Sequence, residues 1–419
     1  MRAGEARRDR ARAPFAFLPQ RLASLDGLRG LAALLVLVHH EAMTVPTLAA
    51  SYYESATQPA RGSIAWWLSF TPLHLAWAGT EAVFLFFVLS GVVLVLPVLR
   101  SRGFDWIGYY PRRLVRIYGP VVCVVLAAFV AQLLLPRFND HRLGRWVNLR
   151  PNETSVHDLL RNLTLMQGTS GLVSPLWSLR WEVVFSALLP LFVGVAVVGR
   201  RFPRTAAALT LAAVVVGALF DANDLFFLPM FGAGALIIGC WDRIAVRARA
   251  LSRRRWPWPV LLMVAALLCS ATWWLQGLGA PMHDAQSLEW LGLPGVVLLL
   301  VAAVHWRPLA RLLEIRLVQW LGRISFSLYL VHEPIVTGAR LLLFQQQLPT
   351  WASIAVSAPV ALLSAHLFAR FVEAPFHALS RRAGRAVTAA AGDVLPQPLR
   401  SVAAPASVSE RPVRERVPA

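Results

Sequence analysis

The chain has no lysine: all 41 of its basic residues are arginine. A GC-rich coding bias explains that usage as well as a functional need does, so nothing is built on it. Cysteine is scarce. Cys123, Cys240 and Cys269 each sit inside an apolar run, with neither metal-ligand spacing nor a disulfide framework. They read as small buried hydrophobes. A P-loop, a GxGxxG turn after a strand, an HExxH helix and a GxSxG elbow are all missing. No internal repeat and no attached soluble catalytic module stands out, and no metal is expected.

What is present is hydrophobic. Of the 419 residues, 57% are apolar, against about 45–50% in a soluble globular protein. These residues gather into about ten runs of bilayer length. They lie near 28–46, 80–99, 117–135, 181–199, 205–220, 224–241, 257–276, 287–305, 322–344 and 351–372, the run at 205–220 being short. The expected fold class is an all-α polytopic membrane protein with about ten transmembrane helices.

The net charge of +19 would suit nucleic acid, but its placement argues for a lipid bilayer. Arginines cluster at 100–116, 200–204, 243–255, 307–316 and 381–385, while the connections at 221–224, 277–286 and 345–350 hold none. By the positive-inside rule the arginine-rich loops are cytoplasmic, which puts both termini inside. Residues 1–21 then read as a disordered basic tail, 22–382 as the membrane domain and 383–419 as a second disordered tail. The first apolar run ends in His-His-Glu, so it reads as a retained helix and not as a signal peptide. The long outer connection 136–179 carries Arg137, Arg142, Arg145, Arg150 and Arg161. Long translocated loops obey the charge rule poorly. Within it, Ser155 and Asp158 predict a capped short helix on the outer surface.

Polar groups inside the runs are few. In LDGLRGLAALLVLVHH, His40 stands roughly 16 Å along a helix from Arg29, which puts it near the midplane of a bilayer. An ionisable group at that depth is costly and a functional hypothesis by default, the plain alternative being a histidine bonded to a neighbouring helix for packing. His39 is turned about 100° away on the same helix. His332, in LGRISFSLYLVHEP, reaches a similar depth from the same side, so the two imidazoles are expected to share a pocket. Pro334 is expected to kink that helix. Ser90 and Gly91, in FFVLSG, permit close approach of another helix. Glu182, in PLWSLRWE, reads as the outer end of the fourth run, within pairing reach of Arg180. Arg113 and Arg116, in RRLVRIY, share a helix face at the inner mouth of the third run and suit phosphate. Topology alone also explains those two arginines.

Six blocks, LDGLRGLAALLVLVHH, FFVLSG, RRLVRIY, PLWSLRWE, LGRISFSLYLVHEP and VEAPFHALSRR, follow one another in the order found in acyltransferase family 3. The chain resembles those integral-membrane O-acyltransferases over roughly residues 20–382. The resemblance implies transfer of an acyl group, acetyl foremost, from cytoplasmic acyl-CoA. It implies as acceptor a hydroxyl of a cell-surface glycan or glycolipid, or of a small glycosylated metabolite, and as location the bacterial inner membrane. Carried over, His40 matches the essential histidine and Arg29 its partner arginine. Arg113 and Arg116 match a coenzyme A-binding pair, Glu182 the acid of its block, and His332 the later histidine. The chain departs from the family at Val183 and Phe84, where acids are frequent, and Glu81 is a candidate substitute.

The implied chemistry needs a base for a poorly nucleophilic hydroxyl, and His40 with an unperturbed pKa near 6.5 suits it. It also needs a donor for the charge developing on the thioester oxygen, for which His332 is the candidate. An acyl-histidine intermediate is the competing route. The rival classes are a transporter, which lacks here the paired interrupted helices expected of one, and a membrane scaffold without chemistry, which leaves both histidines unexplained.

Overall fold

Every apolar run becomes helix. The computed structural model describes residues 22–53, 58–101, 103–166 and 171–394, and among them there is no strand. The tail expected over 1–21 and the residues beyond 394 lie outside the described residues. The longer helices are α1 Ala23–Met43, α2 Gly79–Arg100, α3 Trp106–Leu134, α4 Val156–Thr164, α5 Leu176–Ala187, α6 Leu189–Arg201 and α7 Pro203–Leu219. They continue with α8 Asn223–Gly239, α9 Trp241–Leu251, α10 Pro257–Cys269, α11 Gly292–His305, α12 Arg316–Gln345, α13 Thr350–Phe368 and α14 Ala374–Val394.

Four helices are individually long and apolar enough to cross a membrane, and up to eight are if each bent pair counts as one span. That is fewer than the runs suggested. The physical reasons are local. Helix α7 is short, α12 carries Arg323, Glu333 and Arg340, and several runs break into two helices at angles of 63–104°.

Glycine sets the closest crossings. A Cβ on Gly30 of α1 would lie 2.4 Å from Gly322 N of α12, and one on Gly91 of α2 would lie 2.1 Å from Phe231 O of α8. Backbones meet there directly, as small residues allow between membrane helices. Ser90 and Gly91 thus do permit the approach read from FFVLSG.

The α5–α6 bend of 70° falls just before Pro190. Proline supplies no N–H to the carbonyl four residues earlier. That carbonyl, Ser186 O, instead accepts from Tyr109 Oη at 3.2 Å, and Ala187 O accepts from Tyr110 Oη at 3.4 Å. The kink is therefore satisfied by side chains of α3. Pro334, by contrast, lies inside the continuous helix α12, so the kink expected there is not a break.

The capping box forms as expected, with Ser155 and Asp158 bonding reciprocally at the start of α4. Helix α14 runs to Val394, past the expected tail boundary at 382. It is held against α3, where Thr388 Oγ1 donates to both carboxylate oxygens of Asp105 at 3.0 Å.

Candidate active site

A cavity opens between α1, α2, α3, α5 and α12, about 960 Å³ counted with its open mouth. Its walls carry Arg29, Arg113, Arg116, Glu182, Ser90 and Tyr329 among apolar neighbours. Four of the six residues singled out by sequence therefore meet in one place. Each arrives there for a different reason. The glycine contact of α1 with α12 brings Arg29 Nη2 to within 3.0 Å of Gly322 O, leaving its Nε buried and without a partner. Arg113 forms an ion pair with Glu182, and its Nε donates to Ser186 Oγ at 2.9 Å. Ser90 Oγ donates to the other Glu182 oxygen at 2.9 Å. Arg116 is exposed to the cavity and makes no ion pair or hydrogen bond among the described residues. The cavity thus holds three guanidinium groups and one engaged carboxylate. Arg29 and Arg116 form no ion pair among the described residues, although the buried Glu373 carboxylate is close enough to act on both. They are the cations with nitrogens open to an anionic ligand, and charge-assisted bonds to phosphate are among the strong ones.

The histidines lie farther along the same helices. His332 Nε2 stands 3.1 Å from His40 Nδ1, with ring centroids 4.9 Å apart. His332 Nδ1 lies 2.8 Å from Leu328 O, and His40 Nδ1 lies 3.0 Å from Val36 O. A carbonyl only accepts, so each Nδ1 carries its hydrogen. In a neutral ring His332 Nε2 is then a bare lone pair, and it faces the N–H of His40. The same logic leaves His40 Nε2 unprotonated, and His40 is only half-buried. The tautomers are assigned from these partners. The pair presents one nitrogen able to take a proton, with the second ring behind it to accept from the imidazolium that results.

Tyr329 links the two regions. It lines the arginine cavity, its ring centroid is 6.0 Å from that of His332, and its hydroxyl lies 2.6 Å from Ser178 Oγ. On the other side of the histidines sits a part of the long connection. The Trp146 ring lies 5.5 Å from His40, and the Arg150 guanidinium stacks 4.3 Å above Trp146. Arg150 Nε donates to Glu333 Oε1 at 2.6 Å, and Glu333 is fully buried. His39 packs edge-on against His40, with ring centroids 5.1 Å apart, but takes its hydrogen bond elsewhere. Its Nδ1 donates to Trp77 O at 3.0 Å, and its ring packs on Tyr52 and Trp77.

Arg29 lines the cavity with Arg113 and Arg116, apart from His40 as their spacing on one helix implied. Arg113 and Arg116 both line the cavity, and Glu182 engages the first of them. Several expectations need correction. Glu182 is not at the outer end of its run. It lies level with Ser90 and Arg113, because residues 172–176 plunge into the protein, with Leu172, Val173 and Leu176 fully buried. Arg180 does not pair with Glu182; it stacks over Trp181 at 5.0 Å. His332 is not a free donor, since both its ring nitrogens are engaged. Phe84 is core, packed against Phe226, and Glu81 shares the Tyr52 side of the protein with Glu289. Arg150, Trp146 and Tyr329 escaped sequence reading. Tyr329 had a signal, standing three residues before His332 in SLYLVH. Arg150 had none beyond its breach of the charge rule.

Over residues 22–370 the chain matches the acyltransferase 3 family, described as an acyltransferase domain, and the chain belongs to that family. It is similar to the Bacillus subtilis protein named "Putative peptidoglycan O-acetyltransferase YrhL", with 24% identity over 345 residues, covering 74% of this chain and 53% of the relative. It is also similar to O-acetyltransferase OatA of Staphylococcus aureus, with 23% identity over 395 residues, covering 86% of this chain and 58% of the relative. The chain thus spans a little over half the length of these relatives. No solved structure matches it.

Proposed function

We propose that the protein transfers an acyl group, acetyl foremost, from acyl-CoA on the cytoplasmic side to a hydroxyl of a cell-surface glycan or glycolipid. In this reading about ten helices cross the bacterial inner membrane and both termini are cytoplasmic. Family membership and the acetyltransferase names of the relatives support acyl transfer. The observation that carries the chemistry is the contact of His332 Nε2 with His40 Nδ1, which leaves His40 Nε2 as the base.

Arg29 and Arg116 are the groups to receive the nucleotide phosphates, while Glu182 holds Arg113 in place. In this reading the thioester arm passes Tyr329, whose ring lies 6.0 Å from that of His332, to reach the histidines. His40 Nε2 takes the proton of the acceptor hydroxyl as its oxygen attacks the thioester carbon. The C–O bond forms, the C–S bond breaks, and His40 returns the proton to the leaving sulfur, so coenzyme A departs as the thiol. His332 accepts from the transient imidazolium. Arg150, stacked on Trp146 and paired with Glu333, is the candidate cation to offset the negative charge on the carbonyl oxygen.

The test is His40→Ala in purified protein, measured as thiol release from acetyl-CoA and as label transferred to envelope glycans. Removing a general base costs roughly 10²–10⁴-fold in rate. Turnover within threefold of the parent protein, with equal membrane expression, removes His40 from this role.

A further inference from the structure

A second cleft lies between the ends of α3 and α12 remote from the arginine cavity. Ala131, Leu135, Gly338 and Leu342 make its apolar wall, and Pro334 and Arg137 also line it. In the orientation proposed above it faces the outer leaflet. A Cβ built on Gly338 meets no atom of the described residues within 4 Å. The rim of the cleft is apolar and exposed, with Leu134 74% exposed.

Gln132, Thr337 and Gln345 also line the cleft, its lining cation is Arg137, and Arg340 and Arg142 lie outside the lining. Arg137 donates from Nη2 to Leu172 O at 3.4 Å, and its Nη1 is buried without a partner. Arg340 is 4% exposed, and its Nε has no partner either. Its guanidinium stacks on Phe344 at 5.2 Å, and Arg142 stacks on the same ring at 4.7 Å. Asp140 engages Arg142 at 2.8 Å. A largely apolar trough that ends at a guanidinium with a buried, unpartnered Nη1, the nearby Glu333 being already paired with Arg150, has the chemistry of a chain joined to a phosphate. The position matters as well. Pro334 follows directly on His332 and Glu333, and Leu172, which Arg137 grips, leads into Ser174, whose N–H donates to Glu333 at 3.3 Å.

We propose that this groove seats the hydrocarbon chain of a lipid phosphate, with its phosphate on Arg137, and that the acceptor sugar reaches His40 carried on such a lipid. The second half rests on the acyl-transfer reading; the groove itself does not.

The first arm uses native mass spectrometry of the intact protein with dodecyl phosphate, dodecanol and inorganic phosphate as probes. Dodecyl phosphate is retained, and about tenfold less by Arg137→Gln, the loss expected for one charge-assisted bond. Gly338→Leu fills the trough without a backbone clash, favours the helix and gives the same loss. Dodecanol and inorganic phosphate are not retained. Equal retention by both variants, or retention of inorganic phosphate alone, overturns the groove.

The second arm supplies labelled acetyl-CoA to membranes carrying the protein and counts label in butanol-extractable lipid beside free coenzyme A thiol. Label in the lipid fraction, lost in Gly338→Leu, supports the lipid-borne acceptor. Thiol release with label only in unextractable glycan overturns it. Absence of thiol release overturns the acyl-transfer reading, and the retention arm then decides the groove by itself.

Discussion

Replacing His332 by phenylalanine keeps a planar ring in a fully buried position and removes the acceptor that faces His40 Nδ1. The neutral His40 loses little, because Val36 O still accepts from the same N–H. The imidazolium loses more, because one of two acceptors for its charged N–H is gone. A hydrogen bond to a charged group contributes about 1.5–3 kcal/mol. At about 1.4 kcal/mol per decade, kcat falls roughly 10–150-fold. His332→Gln places an amide oxygen near the position of Nε2 and keeps kcat within about threefold, by the same accounting. The KM for acyl-CoA stays unchanged in both, since neither touches Arg29 or Arg116. Steady-state thiol release with a fixed acceptor measures these quantities. A fall in His332→Phe as deep as in His40→Ala would show that His332 itself handles the transferred proton. Full activity in His332→Phe would show that the contact has no catalytic use.

Arg29→Gln and Arg116→Gln each raise KM for acetyl-CoA about tenfold, the value of one charge-assisted bond, and the increase disappears with acetyl-pantetheine, which has no nucleotide phosphates. Arg113→Met and Glu182→Leu each lower the melting temperature in detergent, and the double variant recovers part of the loss. A coupling energy of about 0.5–3 kcal/mol is expected for such neighbours, and strict additivity would refute the pair. Gly91→Ala must displace the α8 backbone and costs about 1–3 kcal/mol or more in stability. Gly194→Ala, which meets nothing within 4 Å, is neutral or stabilising, as followed by thermal unfolding.

Helical positions were legible in the sequence because apolar runs in lipid leave the backbone little choice but to bond within the segment. The meeting of His40 and His332 was legible too, since helix rise fixes depth once two runs enter from one side. What depth arithmetic does not contain is which helices touch. That Arg29 bonds Gly322 O and shares a cavity with Arg113 and Arg116 of α3 follows from the α1–α12 crossing at Gly30 and Gly322, which no spacing along one helix contains. Glu182 was misplaced because hydropathy shows where apolar residues lie but not that a chain dips inward before its helix begins. Arg150 is the hardest case. A cation far along a connecting segment has no periodic partner, and only the buried Glu333 reveals its purpose.

That carboxylate has a mechanical consequence. Glu333 accepts from Arg150 with one oxygen and from the Ser174 N–H with the other, so it pins two points of the crossing 24 residues apart in sequence beside the paired imidazoles. Arg150 and Ser174 are then two fixed points on one carboxylate, and a one-residue shift at either breaks a bond to the residue next to His332.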